Sequence, residues 1–224
     1  MSFFERFITL YAPHICLGCG AEEDALLCGN CRQTLVFVPS RCYRCQSATR
    51  NFAVCERCKS HTPLRTVVAV THYDTLAKEL VHSAKYERAV SGVAEMAAMM
   101  ARSLRYFPAS ALLIPAPTAT SRARARGYDQ AVVLARALTK LSGRRTTIAL
   151  HRLNQGHQVG AGRVERFAHL KNAFRVTKQT TIHGAHVVLI DDVSTTGATL
   201  ESAATALKKA GAKRVDALVF AQAG

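Results

Sequence analysis

Residues 187–200 read Val187-Val188-Leu189-Ile190-Asp191-Asp192-Val193-Ser194-Thr195-Thr196-Gly197-Ala198-Thr199-Leu200. An unbroken run of aliphatic residues predicts a strand buried on both faces. Two carboxylates stand at its carboxyl end, and a loop of small hydroxyl residues with one glycine follows. Thr199 to Ala210 then has helical spacing closed by Gly211. A helix N-terminus entered this way offers free N–H groups and the positive end of the helix dipole, which suit a phosphate. Ser194, Thr195, Thr196 and Thr199 add hydroxyl donors, and Gly197 lets the backbone come close to a ligand. Successive strand residues point to opposite faces, so Asp191 and Asp192 need not collide. At least one is placed to accept hydrogen bonds from sugar hydroxyls or to bind Mg²⁺, directly or through water.

Working outward, the same alternation recurs. Thr66 to His72 is a β-branched run, and Ala111 to Ile114 a short apolar strand stopped by Pro115. Thr146 to Leu150 and Val215 to Phe220 also read as strands. Val93, Met96, Ala97, Met100 and Leu104 fall on one helical stripe, and Ala131 to Leu141 is helical again. Short apolar strands alternating with helices predict an α/β domain with a doubly wound, mainly parallel sheet, whose ligands sit beyond the carboxyl ends of the strands.

All eight cysteines precede residue 59, in four C-x2-C pairs: Cys16/Cys19, Cys28/Cys31, Cys42/Cys45 and Cys55/Cys58. A two-residue spacer lets both sulfurs of a pair turn toward one ion, so two pairs complete a tetrahedral zinc site. Pairing first with second and third with fourth is the simplest arrangement; an interleaved one, and one site rather than two, stay open. A disulfide framework needs an oxidising compartment and an export signal, and iron–sulfur ligation is the minor alternative. Four sulfurs per ion leave no open position, so the role is structural. A zinc-binding domain is therefore expected over residues 1–62, with Lys59 to Arg65 as linker and the α/β domain over 63–224. Phe3, Phe7 and Leu10, ended by Pro13, read as a short helix packing on the zinc module.

The chain has 224 residues, 49% of them apolar, which excludes wholesale disorder. No apolar run approaches a membrane span, and charge in Met1-Ser2-Phe3-Phe4-Glu5-Arg6-Phe7 argues against a secretory signal. A cytoplasmic location is expected. Formal charge is +15, and +11 once eight thiolates and two zinc ions are counted. Such a balance points to polyanions: nucleic acid, a phosphorylated small molecule or an acidic partner. Arg122, Arg124 and Arg126 lie just past a strand end and concentrate that charge. They are read either as a solvated basic face or as a pyrophosphate or nucleic-acid contact. Leu153 to Arg166, with Asn154, Gly156, Gly160 and Gly162, reads as a substrate-closing loop bringing Arg163 and Arg166 to phosphate, or as a plain surface loop.

The Asp191–Thr199 segment resembles the phosphoribosyl-pyrophosphate (PRPP) motif of type I phosphoribosyltransferases. From about Pro13 to Ala221 the chain resembles the ComF/GntX competence-associated family, a zinc-ribbon N-terminus fused to a phosphoribosyltransferase domain. The likeness rests on the C-x2-C pairs, Leu80 through Lys85-Tyr86, Pro115-x-Pro117 and Arg122-x-Arg124-x-Arg126-Gly127-Tyr128-Asp129-Gln130. It continues through Gln158, Glu165-Arg166 and Ala173-Phe174 to the Asp191–Thr199 loop. The family favours Phe-Asn where Tyr128-Asp129 stands, threonine at Gln155, leucine at Ala161 and asparagine at His169.

The resemblance implies a role in DNA uptake and natural transformation, and Mg²⁺-dependent binding of PRPP. As an enzyme the protein would displace pyrophosphate from C1 of PRPP with an unidentified acceptor. Asp191 and Asp192, the catalytic pair, would then hold the ribose. The stretch Asp191, Asp192, Val193, Ser194, Thr195, Thr196, Gly197, Ala198 and Thr199 would bind PRPP. Thr118 and Arg122, with Arg126, Lys85 and Arg166 as further candidates, would meet pyrophosphate or DNA. As a binding module, the same loop would hold PRPP or a nucleotide without turnover. The basic surface would then engage single-stranded DNA, and the zinc domain a competence helicase or a recombination protein.

Overall fold

The computed structural model describes residues 14–86, 89–117, 127–153 and 173–223. The Cys-rich part holds β1 (His14–Ile15), β2 (Glu22–Glu23), α1 (Gly29–Thr34) and α2 (Glu56–Lys59). There follow β3 (Leu64–His72), α3 (Thr75–Lys85), α4 (Ala89–Ala101), a 3-10 turn (Arg102–Tyr106), β4 (Leu112–Pro115) and α5 (Gln130–Ser142). The chain closes with β5 (Leu150–Arg152), β6 (Phe174–Val176), α6 (Gln179–Ile182), β7 (His186–Ser194), α7 (Ala198–Lys209) and β8 (Arg214–Gln222).

A four-stranded parallel sheet runs in the order β3-β8-β7-β4. The last strand is inserted between β3 and β7, so the two strands with the longest apolar runs occupy the centre. Strand alternation sorts their side chains into two cores. Val188, Ile190, Leu218 and Phe220 pack with α3, α4 and α5. Val187, Leu189, Ala217 and Val219 pack with α7 and the β5–β6 hairpin. Burial on both faces is why these strands read as continuous apolar runs, and the expected doubly wound α/β sheet is what forms.

Three elements differ from the sequence expectation. Thr146 makes only an isolated bridge to Leu113, and regular pairing starts at Leu150, antiparallel to β6. The stretch read as linker ends early, because Thr62 is buried and β3 begins at the fully buried Leu64. The helical stripe running to Leu104 tightens into the 3-10 turn at Arg102. An additional helix, α3, is capped by Asp74, whose carboxylate accepts from the Ala77 N–H at 3.0 Å. Gly92 lets α4 lie directly on α3: a Cβ there would fall 2.6 Å from the Ala84 Cα.

The eight cysteines form two groups, Cys16/Cys19/Cys28/Cys31 and Cys42/Cys45/Cys55/Cys58, each with its sulfurs within 4.8 Å of one another. This is the sequential grouping. Leu26, Leu27, Leu35 and Phe52 of this region enter the same core as Val68, Leu80 and Met96. Residues 36–38 run along β3, with the Val38 N–H donating to the Val70 carbonyl and the His72 N–H to that of Val36. No helix among the described residues is long and apolar enough to cross a membrane. The expected N-terminal helix, together with Thr118, Arg122, Arg126 and Arg166, lies outside the described residues.

Candidate active site

The carboxyl ends of β7 and β8 meet the N-terminus of α7, and this corner is built differently from the starts of the long helices α3 and α5. α3 and α5 close their own N-termini with Asp74 and Asp129, whose carboxylates accept from Ala77 and Ala131 N–H groups at 3.0 Å. Such a cap is worth about 1 kcal/mol. α7 begins at Gly197 with φ 75° and no side-chain cap from that residue. Only the Thr196 hydroxyl approaches, accepting from the Ala198 N–H at 3.4 Å. A helix that leaves its first N–H groups open keeps them for an anion.

Asp191 and Asp192 end the strand. Each carboxylate folds back onto the next N–H, Asp191 Oδ1 onto that of Asp192 at 2.9 Å and Asp192 Oδ1 onto that of Val193 at 2.8 Å. By strand parity Asp192 shares the face of Val188 and Ile190, where α3 lies, and there Lys85 Nζ meets its Oδ2 at 2.6 Å. Asp191 shares the face of α7. Divergence does not free the two from each other. Desolvation first, and then the Asp192 charge, push the Asp191 carboxyl well above its ordinary range, against the pull of the Asp192 N–H and Lys85. Two crowded carboxylates with one lysine form an oxygen donor set short of positive charge. Those hard oxygens fit Mg²⁺, which is usually held by one or two carboxylates plus substrate phosphates.

Lys85 is held from two sides. It stands in the last turn of α3, which is pressed onto α4 at Gly92. The Tyr128 hydroxyl reaches across to the Ala84 and Lys85 carbonyls at 2.8 and 3.0 Å. Of the other loop residues, Ser194 is buried, with its carbonyl accepting from the Ala223 N–H at 2.9 Å, whereas Thr195 and Thr196 are exposed.

The second cysteine group abuts this loop. Tyr43, between Cys42 and Cys45, lays its ring against Gly197: a Cβ there would come 2.9 Å from Tyr43 Cε2. The Tyr43 hydroxyl lies 2.5 Å from Glu201 Oε1 in the first turn of α7 and 2.6 Å from Thr62 Oγ1. Burial, then Glu201, push the phenol far up, so it stays protonated and donates to the carboxylate. Its single proton being used there, Thr62 donates to it. Arg44 adds an ion pair to Glu201 at 3.4 Å. Gly197 is thus required by the protein's own packing as well as by its positive φ. Tyr43, Arg44, Glu201 and Tyr128 carry no local sequence signal for these contacts, since Tyr43 and Glu201 stand 158 residues apart.

Both cysteine groups fit a tetrahedral ion. Zn–S bonds of about 2.3 Å place sulfurs roughly 3.8 Å apart. Cys19 and Cys28 sulfurs are 3.8 Å apart and those of Cys45 and Cys55 3.5 Å, with every described cysteine free of a disulfide. N–H groups of Cys28 and Cys31 point at the Cys16 and Cys28 sulfurs, each at 3.3 Å. Burial opposes ionisation of Cys16, yet the N–H groups of Cys28, Cys19 and Gly18 bring its thiol down to about 6. Hydrogen bonding to Ser47 brings Cys45 down to about 5. Sharing a proton with Cys28 lifts Cys31 to about 12, and burial lifts Cys58 to about 12. A zinc ion at the centre of each group would supply the charge that lets all four thiols ionise together.

Residues 70–224 match the model of the phosphoribosyl transferase domain. The chain belongs to that family. Within it, the resemblance to ComF competence proteins is borne out by full-length relatives. The chain is 28% identical over 201 residues to the DNA utilization protein YhgH of Salmonella typhi, covering 84% of this chain and 87% of that one. It is 28% identical over 200 residues to competence protein ComFC of Bacillus subtilis, covering 85% and 81%. Competence protein F of Haemophilus influenzae is 26% identical over 208 residues, covering 88% and 90%. The matched residues take in β4, β7 and β8 and the end of β3.

Proposed function

We propose that this phosphoribosyl transferase-type protein binds PRPP with Mg²⁺ at the β7–α7 loop and transfers the phosphoribosyl group to an acceptor, in the cytoplasm, in service of DNA taken up by the cell. The observation that carries this reading is the α7 N-terminus, without a side-chain cap at Gly197, directly after a crowded Asp191/Asp192 pair whose only close cation among the described residues is Lys85. A bare polyanion site gains nothing from two carboxylates; a sugar phosphate does, because its hydroxyls donate to them while its phosphate takes the helix N–H groups. The printed names of the relatives, competence and DNA utilization, supply the cellular context.

In this reading the carboxylates of Asp191 and Asp192 accept from the ribose 2′- and 3′-hydroxyls. Thr195, Thr196, Thr199 and the open N–H groups of α7 hold the 5′-phosphate. Pyrophosphate leaves C1 with the bonding electron pair as the acceptor's lone pair closes on the same carbon, through a transition state of oxocarbenium character. Mg²⁺, when bound, neutralises the departing pyrophosphate. Lys85, released from Asp192, or Arg122, Arg126 and Arg166, would supply the remaining positive charge, with the Thr118 hydroxyl as a neutral donor to the pyrophosphate. Catalysis then comes from orientation and electrostatics, with no covalent nucleophile on the protein. Zinc in the two cysteine groups is structural. Calorimetric titration of the zinc-loaded protein with PRPP and Mg²⁺ tests the reading, with Asp191→Ala/Asp192→Ala in parallel. Saturable binding lost in the double variant supports it; no binding by the folded wild type sinks it.

A second reading, single-stranded DNA on the basic surface with or without a helicase or recombination partner, is favoured by one groove of about 460 Å³. It is lined by Arg136, Lys140 and Lys178 with Thr139, Thr146 and Thr147, and no acidic residue. Binding there would release many counterions and weaken steeply with salt, unlike PRPP binding.

A further inference from the structure

We infer that the second cysteine group is a positioning device for the phosphate loop, acting through Tyr43, and that this rests on the phosphoribosyl reading only for its effect on PRPP. A knuckle that merely stapled the N-terminal region would need nothing of residues 197 and 201. Instead its two middle residues both reach the loop. The Tyr43 ring stands where a side chain at Gly197 would be, its nearest atom 2.9 Å from that position. The Tyr43 hydroxyl and the Arg44 guanidinium both hold Glu201, at 2.5 and 3.4 Å. Thr62, which is buried, fixes the hydroxyl from behind at 2.6 Å.

The geometry explains how an uncapped helix start can stay ordered. α7 has no side-chain cap at Gly197, and the Thr195 and Thr196 side chains are exposed. A loop of that kind would have to be ordered by its ligand, at a cost to affinity. Tyr43 removes part of that cost by walling the loop on the side away from solvent. Tyr43 itself is flanked by Cys42 and Cys45, so its placement follows that of the sulfurs. Closing four thiolates around one ion fixes the Cys42–Cys45 turn, the turn fixes the ring, and the ring with Glu201 fixes the first turn of α7. Tyr43 is a positioning residue; it touches no reacting atom.

The first cysteine group provides the contrast. Its middle residues are Leu17 and Gly18, and they face the other core: Leu17 packs against it, and a Cβ on Gly18 would strike the Cys31 sulfur at 2.6 Å. Loss of metal there has no such route to residues 195–201.

The test uses the full-length zinc-loaded protein and three variants: Tyr43→Phe, Tyr43→Ala and Glu201→Gln. Zinc content and thermal unfolding establish that each is folded and carries its metal. Hydrogen exchange of the amides of residues 196–201 is then measured without ligand, and affinity for PRPP with Mg²⁺ by calorimetry. Tyr43→Ala is expected to raise exchange in 196–201 by tenfold or more and to weaken PRPP about tenfold. Tyr43→Phe, which keeps the ring, is expected to fall between it and wild type. Tyr43→Phe and Glu201→Gln together are expected to be no worse than the weaker single variant, because they break one contact. Unchanged exchange in a folded, zinc-replete Tyr43→Ala overturns the proposal whatever PRPP does. If exchange rises but wild type fails to bind PRPP, the coupling stands and the phosphoribosyl reading falls.

Discussion

At the amino end of the central strands, Asp216 of β8 is wholly buried and wholly engaged. Arg214 Nε lies 2.9 and 3.2 Å from its two oxygens and His186 Nε2 2.5 Å from one of them, while a further Arg214 nitrogen donates to Thr66 at 3.0 Å. At the carboxyl end of the neighbouring strand, Asp191 has, among the described residues, only the N–H of the next residue, a repelling Asp192, and Lys85 bonded to that neighbour. Both are acidic residues on the same sheet. One end answers its carboxylate with the Arg214 guanidinium and the His186 ring and so holds the strands; the other leaves its pair undercompensated. A protein tolerates such a deficit where a ligand or ion is to supply the missing charge. The difference separates a stabilising acidic residue from a binding one without appeal to sequence motif.

The largest expected effect is at the carboxyl end. Replacing both Asp191 and Asp192 by Asn removes both negative charges and leaves one neutral amide acceptor at each position, and affinity for PRPP with Mg²⁺ is expected to fall by at least 100-fold, about 3 kcal/mol. Calorimetry reads this directly, and retained micromolar binding would break the contrast. Next comes the amino end. Asp216→Ala strands Arg214 and His186 beside an apolar core, a loss of about 3 kcal/mol, at the low end for a broken buried pair because Arg214 is itself half exposed. Denaturant unfolding should show a lower midpoint with an unchanged slope, while PRPP affinity in the folded protein stays as in wild type.

A subtler effect has the opposite sign at the two ends. The Asp191 carboxyl is raised above its ordinary value of 3.8 by desolvation and Asp192. Below about pH 3.8 both the folded and unfolded chains hold that proton, and the residue costs nothing. As pH rises through the folded value, the folded protein must ionise an unfavourably placed group, and stability falls. Asp191→Asn is therefore expected to stabilise the ligand-free protein at neutral pH, with a gain that shrinks toward zero in acid. Thermal unfolding at a series of pH values checks it; a gain independent of pH would assign the effect to packing instead. The same substitution at Asp216 should destabilise.

Legibility followed the same division between local and distant causes. The β7 strand, its hydroxyl-rich loop and the C-x2-C pairs are contiguous, so their physics is written in neighbouring residues. α3 was equally available, through Leu76, Ala77, Leu80, Val81 and Ala84 on one face behind an Asp74 cap, but the buried Ser83 places a hydroxyl on that same face and blurs the apolar pattern. The Lys85–Asp192 contact, the Tyr43–Glu201 contact and the Arg214–Asp216–His186 cluster depend on which strands become neighbours, and β8 lying between β3 and β7 is not encoded by any one segment. The reason for Gly197 was also only half legible. Close approach to a ligand is a local argument, whereas the Tyr43 ring comes from the far end of the chain.

The smallest expected effect concerns how Lys85 is held at the carboxyl end. The Tyr128 hydroxyl donates to the Ala84 and Lys85 carbonyls, in the last turn of α3. Tyr128→Phe leaves the Lys85 carbonyl to water, since Lys85 and Tyr128 are only partly buried, while that of the buried Ala84 loses the hydroxyl. A net loss of about 1 kcal/mol or less in stability follows. PRPP affinity should drop no more than about threefold, because the packing of Gly92 on Ala84 already fixes the turn. Calorimetry on Tyr128→Phe, Lys85→Met and the double variant measures the coupling. Additive losses mean that the backbone alone aims Lys85 at Asp192. A double variant no worse than Lys85→Met would mean that the hydroxyl acts through the lysine, and the carboxyl end would then owe part of its charge balance to Tyr128.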